Sequence, residues 1–271
     1  MMKRLLITTT FVISIGSVWA GDVEDGDAAM KLKDYASAAR KYKRAAEHGN
    51  AEAMYNLGWM FHSGALPRDV DEAVRWYKMA AKKNFPEAQN ILGIMYKSGV
   101  ENLAKDTVEA ERMLKLAAAN GYAESQYELA SLYQSGINNF SIPKYAEAAQ
   151  WYKIAALNGL VKAQTELASF YLKGQGVARS YTEAVHWFKL AAANGDRFAQ
   201  QRLSNLYEDG LGVSADYIKA YMWSSIAASA YGDKYDSIAL DQMEKKMTPQ
   251  QVALAQKLAL ECQKRNFKGC D

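Results

Sequence analysis

The sequence predicts an all-α fold, an α/α superhelical solenoid of about five to six helix-pair repeats closed by a C-terminal capping helix. Three observations carry that prediction. Ten-residue segments rich in Ala, Leu, Lys and Glu recur at 72–81, 109–118, 147–156, 183–192 and 219–228, spaced by 37, 38, 36 and 36 residues. Between them recurs a leucine followed by a small residue, with an aromatic four positions after the leucine. A glycine stands three residues past each of those aromatics. A fixed period of this length marks stacked supersecondary units.

The chain opens differently. Lys3 and Arg4 lead into an apolar stretch from Leu5 to Val18, and Val18 and Ala20 supply small residues before an expected cut between Ala20 and Gly21. This is the pattern of a signal peptide, and the apolar run is shorter than the roughly 20 residues that a membrane-spanning helix needs. Residues 1–20 are therefore expected to be a leader, which places the mature chain in the periplasm or outside the cell with no stable membrane insertion. Removing Lys3 and Arg4 leaves 31 basic against 30 acidic residues. That near balance gives no electrostatic case for nucleic acid.

The repeats occupy 21–232. In EAVRWYKMAA (72–81) and its copies, and in the degenerate SAARKYKRAA (37–46), apolar positions fall three and four apart, which makes an amphipathic helix. Trp76, Trp151, Trp187 and Trp223 share one register with the alanines and are expected in the core, with Lys78, Lys153 and Lys189 on the solvated side. The partner helices are anchored by Leu57-Gly58, Leu92-Gly93, Leu129-Ala130, Leu167-Ala168 and Leu203-Ser204, and carry Phe61, Tyr96, Tyr133, Tyr171 and Tyr207 one turn on. These residues share a helix face, and the small residue lets the partner helix come close. Gly64, Gly99, Gly136, Gly174 and Gly210 are expected to end these first helices in the left-handed conformation. Gly49, Gly121, Gly159 and Gly195 do the same for second helices. One such pair cannot bury its apolar stripe alone, so the pairs must stack. After Gly232 the periodicity lapses for some fifteen residues. Within the tail, 233–271, Thr248-Pro249-Gln250-Gln251 then reads as a helix start, with the helix running to about Gln263 and capping the open end.

These elements resemble the Sel1-like repeat family, relatives of the tetratricopeptide repeat. The matching features are the Leu-Gly-x-x-Tyr first helix, the Gly-x-Gly-Val turns at 174–177 and 210–213, and the Glu-Ala-x-x-Trp-aromatic-x-x-Ala-Ala second helix. The resemblance covers about 25–232. The first copy departs by lacking the first-helix signature, the second by Met113-Leu114 in place of Trp-aromatic, and the third by Asn138-Asn139 in place of Gly-x-Gly. The resemblance implies a protein-binding scaffold, with partners in envelope signalling, host interaction, or neutralisation of a toxic effector by an immunity protein.

Residues able to do chemistry are few. His48, His62 and His186 are not spaced with a second ligand as a metal site would require. Ser141-Ile142-Pro143-Lys144 matches the Ser-x-x-Lys of penicillin-binding enzymes, which raises the alternative of a β-lactam- or peptidoglycan-interacting hydrolase or binder. The companion Ser-Asp-Asn and Lys-Thr-Gly motifs are missing from the sequence. The reading is accordingly non-enzymatic, with no cofactor and no metal. In an oxidising compartment Cys262 and Cys270 are expected to pair and pin the tail.

If the first helices line the concave surface, as in tetratricopeptide relatives, the positions two before, two after and five after each leucine face the partner. They are Tyr55, Trp59 and His62, then Asn90, Ile94 and Lys97, then Tyr127, Ser131 and Gln134. The later repeats contribute the more polar Thr165, Ser169, Leu172, Gln201, Asn205 and Glu208. Exposed aromatics at Tyr55, Trp59 and Tyr127, with Ile94, would anchor a protein or peptide. The competing expectation is that the degenerate N-terminal pair covers them as core.

Overall fold

The computed structural model describes residues 16–136, 143–229 and 234–270, and among these the regular structure is helical, with a single bridge between Val100 and Leu103. A first compact unit, through Asn120, holds α1 (Gly16–Lys31), α2 (Tyr35–Glu47), α3 (Ala51–Ser63), α4 (Val70–Lys82), α5 (Pro86–Ser98) and α6 (Thr107–Ala119). A second unit, from Gly121, holds α7 (Ala123–Ser135), α8 (Tyr145–Leu157), α9 (Val161–Lys173), α10 (Tyr181–Ala192), α11 (Arg197–Asp209), α12 (Tyr217–Ser229), α13 (Lys234–Glu244) and α14 (Pro249–Lys264). Within each unit every helix packs on the next in sequence through α12, and both α13 and α14 pack on α12. The helix-pair architecture expected from the period is the one observed.

The punctuation behaves as the sequence implies. Asn50, Asp69, Asp106, Ser180 and Asp196 each accept a hydrogen bond from a backbone N–H in the first turn of the following helix, which satisfies donors that the helix cannot. All nine helix-ending glycines have positive φ. The fourth helix has no glycine there, and Asn84 takes the left-handed conformation instead. In the Gly-x-Gly-Val turns the second glycine is required for space as well, since a Cβ on Gly176 or Gly212 would overlap the backbone at Tyr145 or Tyr181.

Side-chain packing within each pair rests on the small residue after the leucine. A Cβ on Gly58 would meet the Tyr77 ring at 2.7 Å and the Ala73 carbonyl oxygen at 3.1 Å, and one on Gly93 would meet Leu114 at 2.6 Å. Tyr77, Leu114, Tyr152 and Phe188 are almost fully buried at the equivalent position of successive second helices. Of the tryptophans, Trp76, Trp187 and Trp223 are buried as expected, while Trp151 is half-buried. A second recurrent device escaped the sequence reading. Gln89, Gln164 and Gln200, each three before its leucine, donate from Nε2 to the carbonyls of Ala81, Ala156 and Ala192 at 3.2, 3.2 and 3.3 Å. Each ties a first helix to the C-terminal end of the preceding second helix, as a second hydrogen bond to a carbonyl that also accepts from the backbone of the turn.

The degenerate N-terminal copy packs as the other pairs do, although it lacks the first-helix signature: Gly26 of α1 lies against the Tyr42 ring as Gly58 lies against Tyr77. That pair is locked by charge as well: Asp22, only 2% exposed, is engaged by the Arg44 guanidinium, with Lys41 3.7 Å away. The stretch read as aperiodic after Gly232 contains α13, whose Glu244 accepts a hydrogen bond of 2.7 Å from the Tyr221 hydroxyl on α12. The last helix begins as expected, with Thr248 and Gln251 forming a reciprocal capping box. Cys262 and Cys270 meet in disulfide geometry with Cα atoms 5.3 Å apart. Lys268 in that loop donates to Asn194 at 2.9 Å, which fastens the tail to the turn after α10. Helix α1 runs through the expected cleavage point, and most of the leader lies outside the described residues.

Gly58→Ala is expected to destabilise the protein by about 1–3 kcal/mol, because the ring and the carbonyl that crowd it belong to a packed helix; urea unfolding measures it. Asp22→Asn should also destabilise, in a pH-dependent way. Bonding to Arg44 holds the Asp22 carboxyl below its ordinary value of 3.8, so the unfolded chain takes up the proton first and the stabilisation is lost as pH falls through that range. The gap between wild type and Asp22→Asn in urea midpoint should therefore be widest at neutral pH and shrink in acid.

Candidate functional site

The first helices carry all nine positions expected to face a partner, and the structure separates them into unlike groups. On α3, Trp59 is 43% exposed, while Tyr55 and His62 are half-buried against Tyr77, with ring centroids 5.7 and 6.2 Å from it. Tyr55 also packs on Phe85, 5.4 Å away. On α5, Ile94 and Lys97 are half-buried and Asn90 is buried. The expectation of an open aromatic surface is thereby corrected, since Tyr55 has a packing role of its own and Asn90 does not face solvent. The cause is geometric. Long side chains on a helix lean toward its N-terminus, so the residue two before the leucine settles over the start of its own helix, where Tyr55 and Tyr127 meet rings of the following second helix.

On α7 the three expected residues do converge. Tyr127, Ser131 and Gln134 line a recess of about 520 Å³ together with Tyr145, Tyr152, Glu166, Lys173 and Gln175. Tyr152 donates from its hydroxyl to Gln134 Oε1 at 2.5 Å, and its ring stands 5.4 Å from that of Tyr127. Lys162 places its ammonium 4.2 Å from the Tyr127 centroid, a cation–π contact that holds the phenol edge in place. Burial raises the Glu166 carboxyl above its ordinary value, and Lys173 only partly offsets this. The same recess raises Tyr127 and Tyr152, chiefly by burial, with the Glu166 charge adding to it. The result is a polar hollow with tyrosine walls and a carboxylate that makes no ion pair among the described residues.

Glu166, Lys173, Tyr145 and Gln175 were missed by the sequence reading. Glu166 and Lys173 sit one before and six after the leucine of α9, a stripe about 60–100° around the helix from the chosen one at 3.6 residues per turn. A recess between consecutive first helices takes one stripe from each, and the repeat pattern alone named only the first. In the later repeats, Thr165 is buried, Ser169 and Leu172 are half-buried, Asn205 is exposed, and Glu208 is held by Lys246 at 2.8 Å.

The Ser-x-x-Lys motif falls only partly within the described residues. Ser141 lies outside the described residues, and Lys144 places its ammonium 5.6 Å from the Tyr133 ring. Among the described residues no group of three His, Cys, Asp or Glu could hold a metal ion, and no helix is long and apolar enough to cross a membrane. Glu166→Gln is expected to raise the melting temperature at neutral pH. The folded state holds the Glu166 proton more tightly than the unfolded chain, so ionisation disfavours folding as pH rises. The variant removes that penalty, and its advantage should vanish in acid.

A Sel1 repeat model matches residues 51–85, 86–122, 123–160, 161–196 and 197–231. Comparison with curated proteins finds no match. Among solved structures, a protective antigen of uropathogenic Escherichia coli is 26% identical with a TM-score of 0.81, covering 93% of this chain and 54% of its own. The chain thus spans about half the length of that protein. A Sel1 repeat protein from Oxalobacter formigenes is 26% identical with a TM-score of 0.71, covering 86% of this chain and 96% of its own. An immunity protein of Pseudomonas aeruginosa shares the fold at 22% identity and a TM-score of 0.50, covering 77% and 82%.

Proposed function

The chain belongs to the Sel1 repeat family, and from that premise we propose that it is an exported, non-enzymatic scaffold that binds a protein or peptide on its first-helix faces. Sel1 repeats mediate protein–protein interaction, and one architecture serves many partners. The observation that carries the reading is the α7 recess. Three of the residues named from the repeat register, Tyr127 among them, converge there with Glu166 and two further tyrosines, and tyrosine walls around a polar floor are what interface anchors use. Trp59 is a separate exposed anchor in the first unit.

Export is supported by the leader pattern of residues 1–20 and by the disulfide geometry of Cys262 and Cys270, which suits an oxidising compartment. Envelope signalling, host interaction and neutralisation of an effector each call for such a face, and none calls for catalysis.

Trp59→Ala combined with Ser131→Arg tests the reading, since the first removes an exposed ring and the second fills the recess. Affinity for a partner purified from the cell envelope should fall roughly tenfold or more, equivalent to about 1.4 kcal/mol, with an unchanged melting curve. Undiminished binding by a folded double variant would remove the first helices from the interface.

A further inference from the structure

The second helices carry a tryptophan at one register position in four copies, Trp76, Trp151, Trp187 and Trp223, and Met113 in the copy on α6. That exception leaves a space. Between α2 and α4, over Leu57 and Phe61, a recess edged by Trp76 has a volume of about 210 Å³. The same recess one repeat later lies between α4 and α6, over Leu92 and Tyr96, and is edged by Met113; its volume is about 440 Å³. In the second unit the counterpart over Leu167 and Tyr171 measures about 250 Å³. Where the indole is replaced by a thioether, the recess is about twice as large, and the floor of Leu92 and Met113 is left with an apolar rim at Leu116, 40% exposed.

The mouth of this recess is electropositive. Lys78, Lys82 and Arg112 line it against one carboxylate, Glu109. Arg112 binds Glu109 through two hydrogen bonds of 2.8 and 2.7 Å, which neutralises that pair. Lys78 stands 5.8 Å from the Tyr96 ring, and Lys82 makes no ion pair among the described residues. A recess with an apolar floor of Leu92 and Met113, lined by three cationic side chains against one carboxylate, selects by both shape and charge.

We propose that the Met113 recess is a ligand site for an aromatic carboxylate, whose ring takes the place of the missing indole while its acid group meets Lys78 and Lys82. The site lies between the second helices α4 and α6, over Leu92 and Tyr96 of α5, and does not use the first-helix positions named for the protein partner. The chemistry can come from a free aromatic acid or from a polypeptide ending in an aromatic residue with a free carboxylate.

Calorimetric titration of the mature chain with indole-3-acetate, with its neutral amide, and with a short peptide ending in tryptophan separates these cases. At least one acid should bind, and the amide should bind more weakly. The tighter of the two acids identifies the source. Met113→Trp restores the residue found in the other copies, so it should keep or raise the melting temperature while weakening the acid roughly tenfold or more. Lys82→Gln, on the exposed rim, should weaken the acid but not the amide. No binding of either acid, equal binding by folded Met113→Trp, or an unchanged affinity in Lys82→Gln would overturn the proposal.

Discussion

The close approach of two antiparallel helices at one small residue is the contact on which the rest of the structure depends. Gly26 against Tyr42, Gly58 against Tyr77 and Gly93 against Leu114 leave no room for a Cβ. In the second unit Ala130 and Ala168, fully buried, take the glycine's place. Holding the helices this close lets second-helix alanines such as Ala73, Ala80, Ala110 and Ala117 pack at zero exposure. The glutamines three before the leucine then join one pair to the next by donating to a carbonyl in the last turn of the preceding second helix. Packing inside the pair and hydrogen bonding between pairs are therefore set by residues five or fewer positions apart on the same helix.

Because these contacts recur with the period, much of the fold was legible in the sequence. The helix pairs, their glycine ends and the Thr248 cap follow from spacing and from the few residues that tolerate each backbone position. The misses have physical causes. Gly26 lies in a helix without the anchoring leucine, so its role became visible only against Tyr42. Helix α13 carries no Ala-Leu stripe and is held in part by a Tyr221–Glu244 hydrogen bond that no local pattern encodes. The site was less legible than the fold. Register gave the stripe containing Tyr127, Ser131 and Gln134. Which of its members are open depends on neighbouring helices, so Asn90 turned out buried and Glu166 entered from the next helix.

The repeat also separates residues that must stay from those free to differ. Tyr77, Leu114, Tyr152 and Phe188 keep their position large in every full copy but the last, where it is Ser224, whereas the residues two after the leucine run through Trp59, Ile94, Ser131, Ser169 and Asn205. A face without periodic restraint is where a repeat protein acquires a partner. Departures inside the restrained set are informative for the opposite reason: Met113 interrupts a packing position, and the space it leaves has its own charge and shape.

A protein partner held on the first helices can be captured where it sits. The most direct test places a photoreactive residue at position 59 or 131 in the native envelope, with exposed position 153 on a second helix as control. One partner should be cross-linked from 59 or 131 and be absent from 153. The same products from all three positions, or products from 153 alone, would contradict it.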